Sequence, residues 1–150
     1  MMGGTVMFRL MWIGLVVSSA AAAAPPVVHP AKIPAAEAKG AIFERKDVVV
    51  AGKGAKRTRD VITMMAPDKR FESGMYQAGP SHAEWKDKPY GVDEFMLFTA
   101  GSVTLTSIDG QVTVLGPGDA VTIPADWRGT WNTKGYSKYY VIRSRDKPLE

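Results

Sequence analysis

The sequence predicts an all-β domain, a single sandwich or barrel with an irregular N-terminal arm. Three observations carry this reading. From Arg59 onward, short runs rich in Val, Thr, Tyr and Phe alternate with Gly, Pro and Asp turns. Asp109-Gly110 stands between two such runs, a strong hairpin signal, and Pro117-Gly118 marks another turn. No segment after Gly40 keeps a long 3.6-residue period. The runs place strands near 60–66, 71–78, 94–99, 101–107, 111–115, 119–124, 128–133 and 137–144. Closely spaced short strands of this kind build sandwiches and barrels.

The chain has 150 residues, 45% hydrophobic and 23% charged, which suits one domain. It has no cysteine, which excludes disulfides, thiolate zinc sites and a cysteine nucleophile. His29 and His82 are its two histidines, which excludes a multi-histidine metal site within one chain. The formal charge of +4 does not by itself point to nucleic acid.

Residues 1–24 read as a leader. Arg9 is followed by the apolar run Leu10–Val17 and then by Ser18, Ser19 and Ala20–Ala24. A positive start, a short apolar core and a small-residue tail make a secretory signal peptide. The alternative is a membrane anchor, but the apolar run falls short of the roughly 20 residues that span a bilayer. Cleavage near Ala22 to Ala24 would place the mature protein in the periplasm or outside the cell, with no membrane anchor.

Residues 25–58 form the arm and the first strand region. Pro25, Pro26, Pro30 and Pro34 among alanines predict irregular or extended chain, with at most one helical turn over Ala35–Gly40. Lys53, Lys56, Arg57 and Arg59 form a basic cluster beside Gly52 and Gly54. It reads as a solvated loop or an anion site. It lacks the interleaved aromatics that stack bases, so no nucleic-acid partner is expected.

Residues 59–150 form the domain. Alternation on the strand at 94–99 puts Glu94, Met96 and Phe98 on one face and Phe95 and Leu97 on the other. Both faces are largely apolar. One lines the core, and the other needs a cover from the arm or a second subunit. A homodimer is therefore expected.

Two spacings carry a family resemblance. Glu94 precedes Gly101 in "EFMLFTAG", and Gly118 precedes Pro124 in "GDAVTIPADW". These resemble the end of the first cupin motif and the start of the second. "SVTLTSIDGQVTVLGP" between them has strand-turn-strand character. From Phe71 to Arg143 the wording is most similar to the (S)-ureidoglycine aminohydrolase-like cupins. The resemblance implies a single cupin jelly-roll β-barrel. Gly101 is expected to reverse the chain between two strands, and Pro124 to close one.

Metal-binding cupins carry a His-x-His pair before the first-motif glutamate and a third histidine after the second-motif proline. Here the pair falls on Lys88 and Tyr90, or on Asp87 and Pro89, and the third position falls near Gly129. Glu94 alone matches. A substitute trio of His82, Asp87 and Glu94 is conceivable, but no ligand spacing supports it. No metal or other cofactor is expected. The aminohydrolase chemistry of the resembling branch depends on a metal.

By the motif match Glu94 faces inward, where a carboxylate needs a partner. Lys88, Arg128 and Tyr90 are the candidates. Glu94 is then either a general acid-base or ligand-binding group, or a buried structural carboxylate. Trp85, Tyr90, Trp127 and Trp131 flank the motifs and could stack a ring, with Trp131 the most core-like. Arg128 could clamp a carboxylate or lie on the surface. Tyr76 and Tyr139 read as packing. The ligand-binding candidates are therefore Trp85, Lys88, Tyr90, Glu94, Trp127, Arg128 and Trp131. Three functions follow. One is metal-free binding of a small carboxylate, sugar or ureide. Another is a cupin enzyme that uses Glu94. The third is a dimeric interaction module with a filled barrel.

Overall fold

The computed structural model describes residues 29–149. The leader and its cleavage site lie outside the described residues. Eight strands form one antiparallel sheet: β1 Val49–Ala51, β2 Thr58–Met65, β3 Phe71–Ala78, β4 Ser81–Glu84, β5 Asp93–Ser107, β6 Val112–Leu115, β7 Ala120–Ile123 and β8 Gly129–Arg143. One helical turn, α1 Ala35–Ala38, and a 3-10 turn at Ala41–Glu44 precede them. Among the described residues no helix is long and apolar enough to cross a membrane.

β5 and β8 make the barrel. Each runs for 15 residues, and they pair antiparallel along almost their whole length. β7 joins the first half of β5, through Glu94–Leu97, and β6 joins the second half, through Val103–Thr106. β4 joins the first half of β8 and β3 the second. Bending both long strands therefore lays one half-sheet over the other. Met96 and Phe98 from one half of β5 share a core cluster with Val103 and Leu105 from the other, along with Leu115, Ile123, Trp131 and Tyr140.

The expected break at Gly101 is a bend within one strand, not a reversal. The register shifts between Phe98 and Ala100 and again between Ser102 and Val103. Buried positions accordingly change from even (94, 96, 98) to odd (103, 105). Gly101 has φ 72°, and a Cβ there would lie 2.0 Å from the Gly135 carbonyl oxygen. The strands expected at 128–133 and 137–144 are likewise one strand, β8, with Gly135 at φ 127°. Asp109-Gly110 does turn β5 into β6. Gly110 has φ 90°, and Gln111 N–H donates to Asp109 Oδ1 at 3.0 Å.

The arm covers part of the outer face. Ile42 and Phe43 are fully buried against Val61 and Met75, with Ile33, Ala38, Val48 and Tyr139 around them. Burying two such side chains contributes roughly 1.5–3 kcal/mol each. This anchors the arm on β2, β3 and β8. Phe95 on the same outer face remains 46% exposed.

Candidate functional site: a tyrosine-lined pocket around a buried ion pair

Alternation along β8 turns Tyr136, Lys138, Tyr140 and Ile142 toward the barrel interior. Alternation along β3 turns Glu72 and Tyr76 the same way, and β2 adds Asp60. Glu94 reaches them from β5. Together with Tyr90 these residues line a pocket of about 230 Å³. Met96, Phe98 and Trp131 fill the barrel beside it, so the barrel is only partly filled.

Glu94 is 2% exposed and Lys138 is 5% exposed. Lys138 Nζ donates to Glu94 Oε1 at 2.6 Å and lies 3.1 Å from Met96 Sδ. The rings of Tyr76, Trp131, Tyr136 and Tyr140 surround the ammonium at 5.4–5.9 Å from their centroids. Each is within cation–π range. The Tyr90 hydroxyl donates to Glu94 Oε2. Burial, then the adjacent Glu94 carboxylate, holds the Tyr90 phenol well above its ordinary value. Tyr90 therefore keeps its proton and serves Glu94 as a hydrogen-bond donor.

A second polar group lines the same pocket. The Tyr140 hydroxyl lies 2.6 Å from Glu72 Oε1 and 2.9 Å from Asp60 Oδ1. It has one proton, so it donates to one carboxylate at a time. The other contact is a hydrogen bond only when that carboxyl is itself protonated. Burial raises the Asp60 carboxyl above its usual range; the Tyr140 hydrogen bond opposes this and the charge on Glu72 adds to it. Gly74 makes room for the ring, since a Cβ there would stand 3.0 Å from the Tyr140 hydroxyl and 2.2 Å from the Val61 carbonyl oxygen.

The structure brings only some of the expected residues to this pocket. Glu94 and Tyr90 are at its centre. Trp131 is core, and with Trp85 it walls a side recess of about 110 Å³ that also reaches Lys138. Trp127 packs on Trp85 and Tyr90 at 6.1 Å and donates its indole N–H to Ser107 Oγ at 3.0 Å. Lys88 is not a partner of Glu94; it lies exposed on the loop after β4. Arg128 is not a partner of Glu94 either. It donates to the backbone carbonyls of Lys86 and Asp87 at 2.9 and 3.0 Å and so holds that same loop. Tyr139 packs on the arm, but Tyr76 lines the pocket.

Sequence reasoning missed Lys138, the actual ionic partner, and also Asp60, Glu72, Tyr136 and Tyr140. A signal existed. Lys138 is in phase with Tyr136, Tyr140 and Ile142, and Glu72 with Gly74, Tyr76 and Ala78. Charged residues on an otherwise inward phase mark an interior site.

The histidine trio is not assembled. His82 is exposed on β4, with Nδ1 2.5 Å from Asn132 Oδ1 and Nε2 2.8 Å from Glu84 Oε1. Among the described residues no group of three or more His, Asp or Glu side chains is arranged to hold a metal. Lys138 and Tyr90 take up both oxygens of Glu94. The residues present do not fit the ligand set of metal-binding cupins.

Residues 65–140 match the family model of the EutQ-like cupin domain. No curated protein matches the chain. Many solved structures share the fold, three of them as follows. EutQ of Clostridium difficile is 18% identical, with TM-score 0.50 over 67% of this chain and 78% of that one. Ectoine synthase from P. lautus is 14% identical, with TM-score 0.52 over 73% and 75%. A Rhizobium leguminosarum protein of unknown function is 20% identical, with TM-score 0.53 over 79% of this chain and 100% of its own. With the jelly-roll fold and both motif spacings in place, the chain belongs to the EutQ-like cupin domain family.

Proposed function

We propose that this protein binds a small polar molecule in the Glu94–Lys138 pocket, without a metal. The buried Tyr90–Glu94–Lys138 chain facing open space carries this reading. A core needs no such polar array, and an unligated array of this kind is costly to build. Three carboxyls, Asp60, Glu72 and Glu94, face one ammonium in the lining. That balance favours hydrogen-bond donors such as ureide nitrogens or sugar hydroxyls over a carboxylate ligand, which Asp60, Glu72 and Glu94 would repel. The leader-like segment supports action outside the cytoplasm. Calorimetry with chelator-treated protein and a panel of ureides, sugars, amines and carboxylates tests the reading. A binder should lose about tenfold or more in affinity in Glu94→Gln, as expected for a hydrogen bond to a charged group. Unchanged binding in that variant would overturn it.

A second reading is a cupin enzyme of the ureidoglycine aminohydrolase-like kind. The carboxylate of Glu94, joined by hydrogen bonds to Lys138 and Tyr90, would serve as the acid-base centre for a ligand amine. Ammonia release from an amine-bearing ureide, abolished in Glu94→Gln, would support it.

A further inference from the structure

Of the basic cluster, Lys53, Lys56 and Arg57 are exposed and Arg59 is half-buried. Arg57 leads into β2 and Arg59 lies on it. Arg59 starts a polar row across the sheet: it pairs in register with Gln77, Gln77 with Ser137, and Ser137 with Ala100. Arg59 Nη1 donates to Gln77 Oε1 at 3.3 Å and to Glu44 Oε1 at 3.4 Å, both long contacts. The Ser137 side chain is almost buried, and its Oγ lies 2.7 Å from Thr99 Oγ1. Either hydroxyl of that pair can donate, so Ser137 keeps a proton available when Thr99 donates to it.

Beside this row the long strands bend at Gly101 and Gly135. The bend leaves a cleft of about 520 Å³. Arg57, Arg59 and Lys134 line it, and no carboxylate does. Arg59 forms an ion pair with Glu44 at 3.4 Å, on a Glu44 side chain that is 76% exposed. Among the described residues, Arg57 and Lys134 have no ion-pair partner. Like charges on a solvated loop spread apart. Here two separate segments, the start of β2 with Arg57 and Arg59 and the bend of β8 with Lys134, bring them to one concavity.

We propose that this cleft binds a small oxyanion of phosphate type, as a site separate from the interior pocket. The two guanidinium groups offer planar paired donors that match tetrahedral oxyanion geometry. Lys134 adds a point charge, and Gln77 and Ser137 supply neutral donors from the floor.

The test is calorimetry of the full chain with inorganic phosphate at constant ionic strength, with chloride as the control titrant. Saturable one-to-one binding of phosphate but not chloride is expected. Arg59→Gln and Lys134→Gln should each weaken it by about tenfold or more. Lys88→Gln, outside the cleft, and Glu94→Gln, in the interior pocket, should leave it unchanged. Lys134 is exposed, so its variant keeps the test valid if Arg59→Gln misfolds. Glycerol phosphate in a second arm separates the sources. Tighter binding of the ester assigns a phosphorylated small molecule, and tighter binding of inorganic phosphate assigns the free ion. Equal response to chloride, or undiminished phosphate binding in Lys134→Gln, would overturn the proposal. Loss of phosphate binding in Glu94→Gln would place the anion in the interior pocket instead.

Discussion

Replacing Lys138 by methionine tests the buried pair. The two side chains are 7% and 2% exposed, and the ammonium sits 2.6 Å from Glu94 Oε1. Methionine keeps the apolar stem and deletes the charge, so it leaves a carboxylate in the barrel with Tyr90 as its remaining donor. Breaking one partner of a buried ion pair costs roughly 3–5 kcal/mol. The retained Tyr90 hydrogen bond argues for the lower end. For a domain of this size that corresponds to a fall in Tm of roughly 10 °C. Urea denaturation at pH 7.5 should return a lower midpoint with an unchanged slope. Glu94→Gln alone should also destabilise, and the double variant should recover a coupling of roughly 2 kcal/mol or more. Two single variants that each cost under about 1 kcal/mol and simply add would refute the argument, since such values belong to exposed pairs.

Other predictions follow from the same structure. Asp60 is raised when folded, so the folded state binds its proton more tightly than the unfolded state does. Its ionisation therefore costs stability as pH rises from the unfolded value through the folded one. Asp60→Asn should be more stable than the parent at pH 7, and the gain should vanish below about pH 3.8; a gain that grows in acid would contradict the sign. Gly101→Ala should cost at least about 2 kcal/mol or prevent folding, from the positive φ and the clash with the Gly135 carbonyl, measurable by urea unfolding. Ile42→Ala should cost about 2–5 kcal/mol if the arm is part of the folded unit; a neutral change would make the arm an ornament. A second copy is proposed to cover Phe95, so light scattering should give twice the chain mass, falling to one in Phe95→Glu.

How much of this was readable from residues alone depended on what each residue signals locally. β3, β6 and β7 were legible because alternation and flanking turns bound them. β5 and β8 read as two strands each, because Gly101 and Gly135 interrupt the alternation. In three dimensions those glycines and bulges only change which phase faces inward. β1 and β4 were missed because their residues are almost all exposed, so they show no buried phase. They are held by pairing with β2 and β8 rather than by burial. Glu94 was visible through its motif. Tyr90 was visible through its neighbourhood, whereas Lys138 lies 44 residues from Glu94 and meets it only through the β5–β8 pairing. Lys88 and Arg128 looked plausible because they are near Glu94 and Pro124 in sequence, and nearness along the chain is a poor guide to contact in a barrel. The arm's role was half legible. An apolar outer face demanded a cover, but only the fold shows Ile42 and Phe43 supplying it over β2 and β3.

The central claim is that the interior pocket takes a small polar ligand through Glu94 and Lys138. The most direct measurement is NMR of metal-depleted protein carrying labelled lysine and tyrosine, titrated with a polar fragment library. The account predicts that a donor-rich compound shifts the Lys138, Tyr90 and Tyr136 signals together, and that Glu94→Gln abolishes the response. Hits that leave these three signals unmoved, or that persist unchanged in Glu94→Gln, would contradict it.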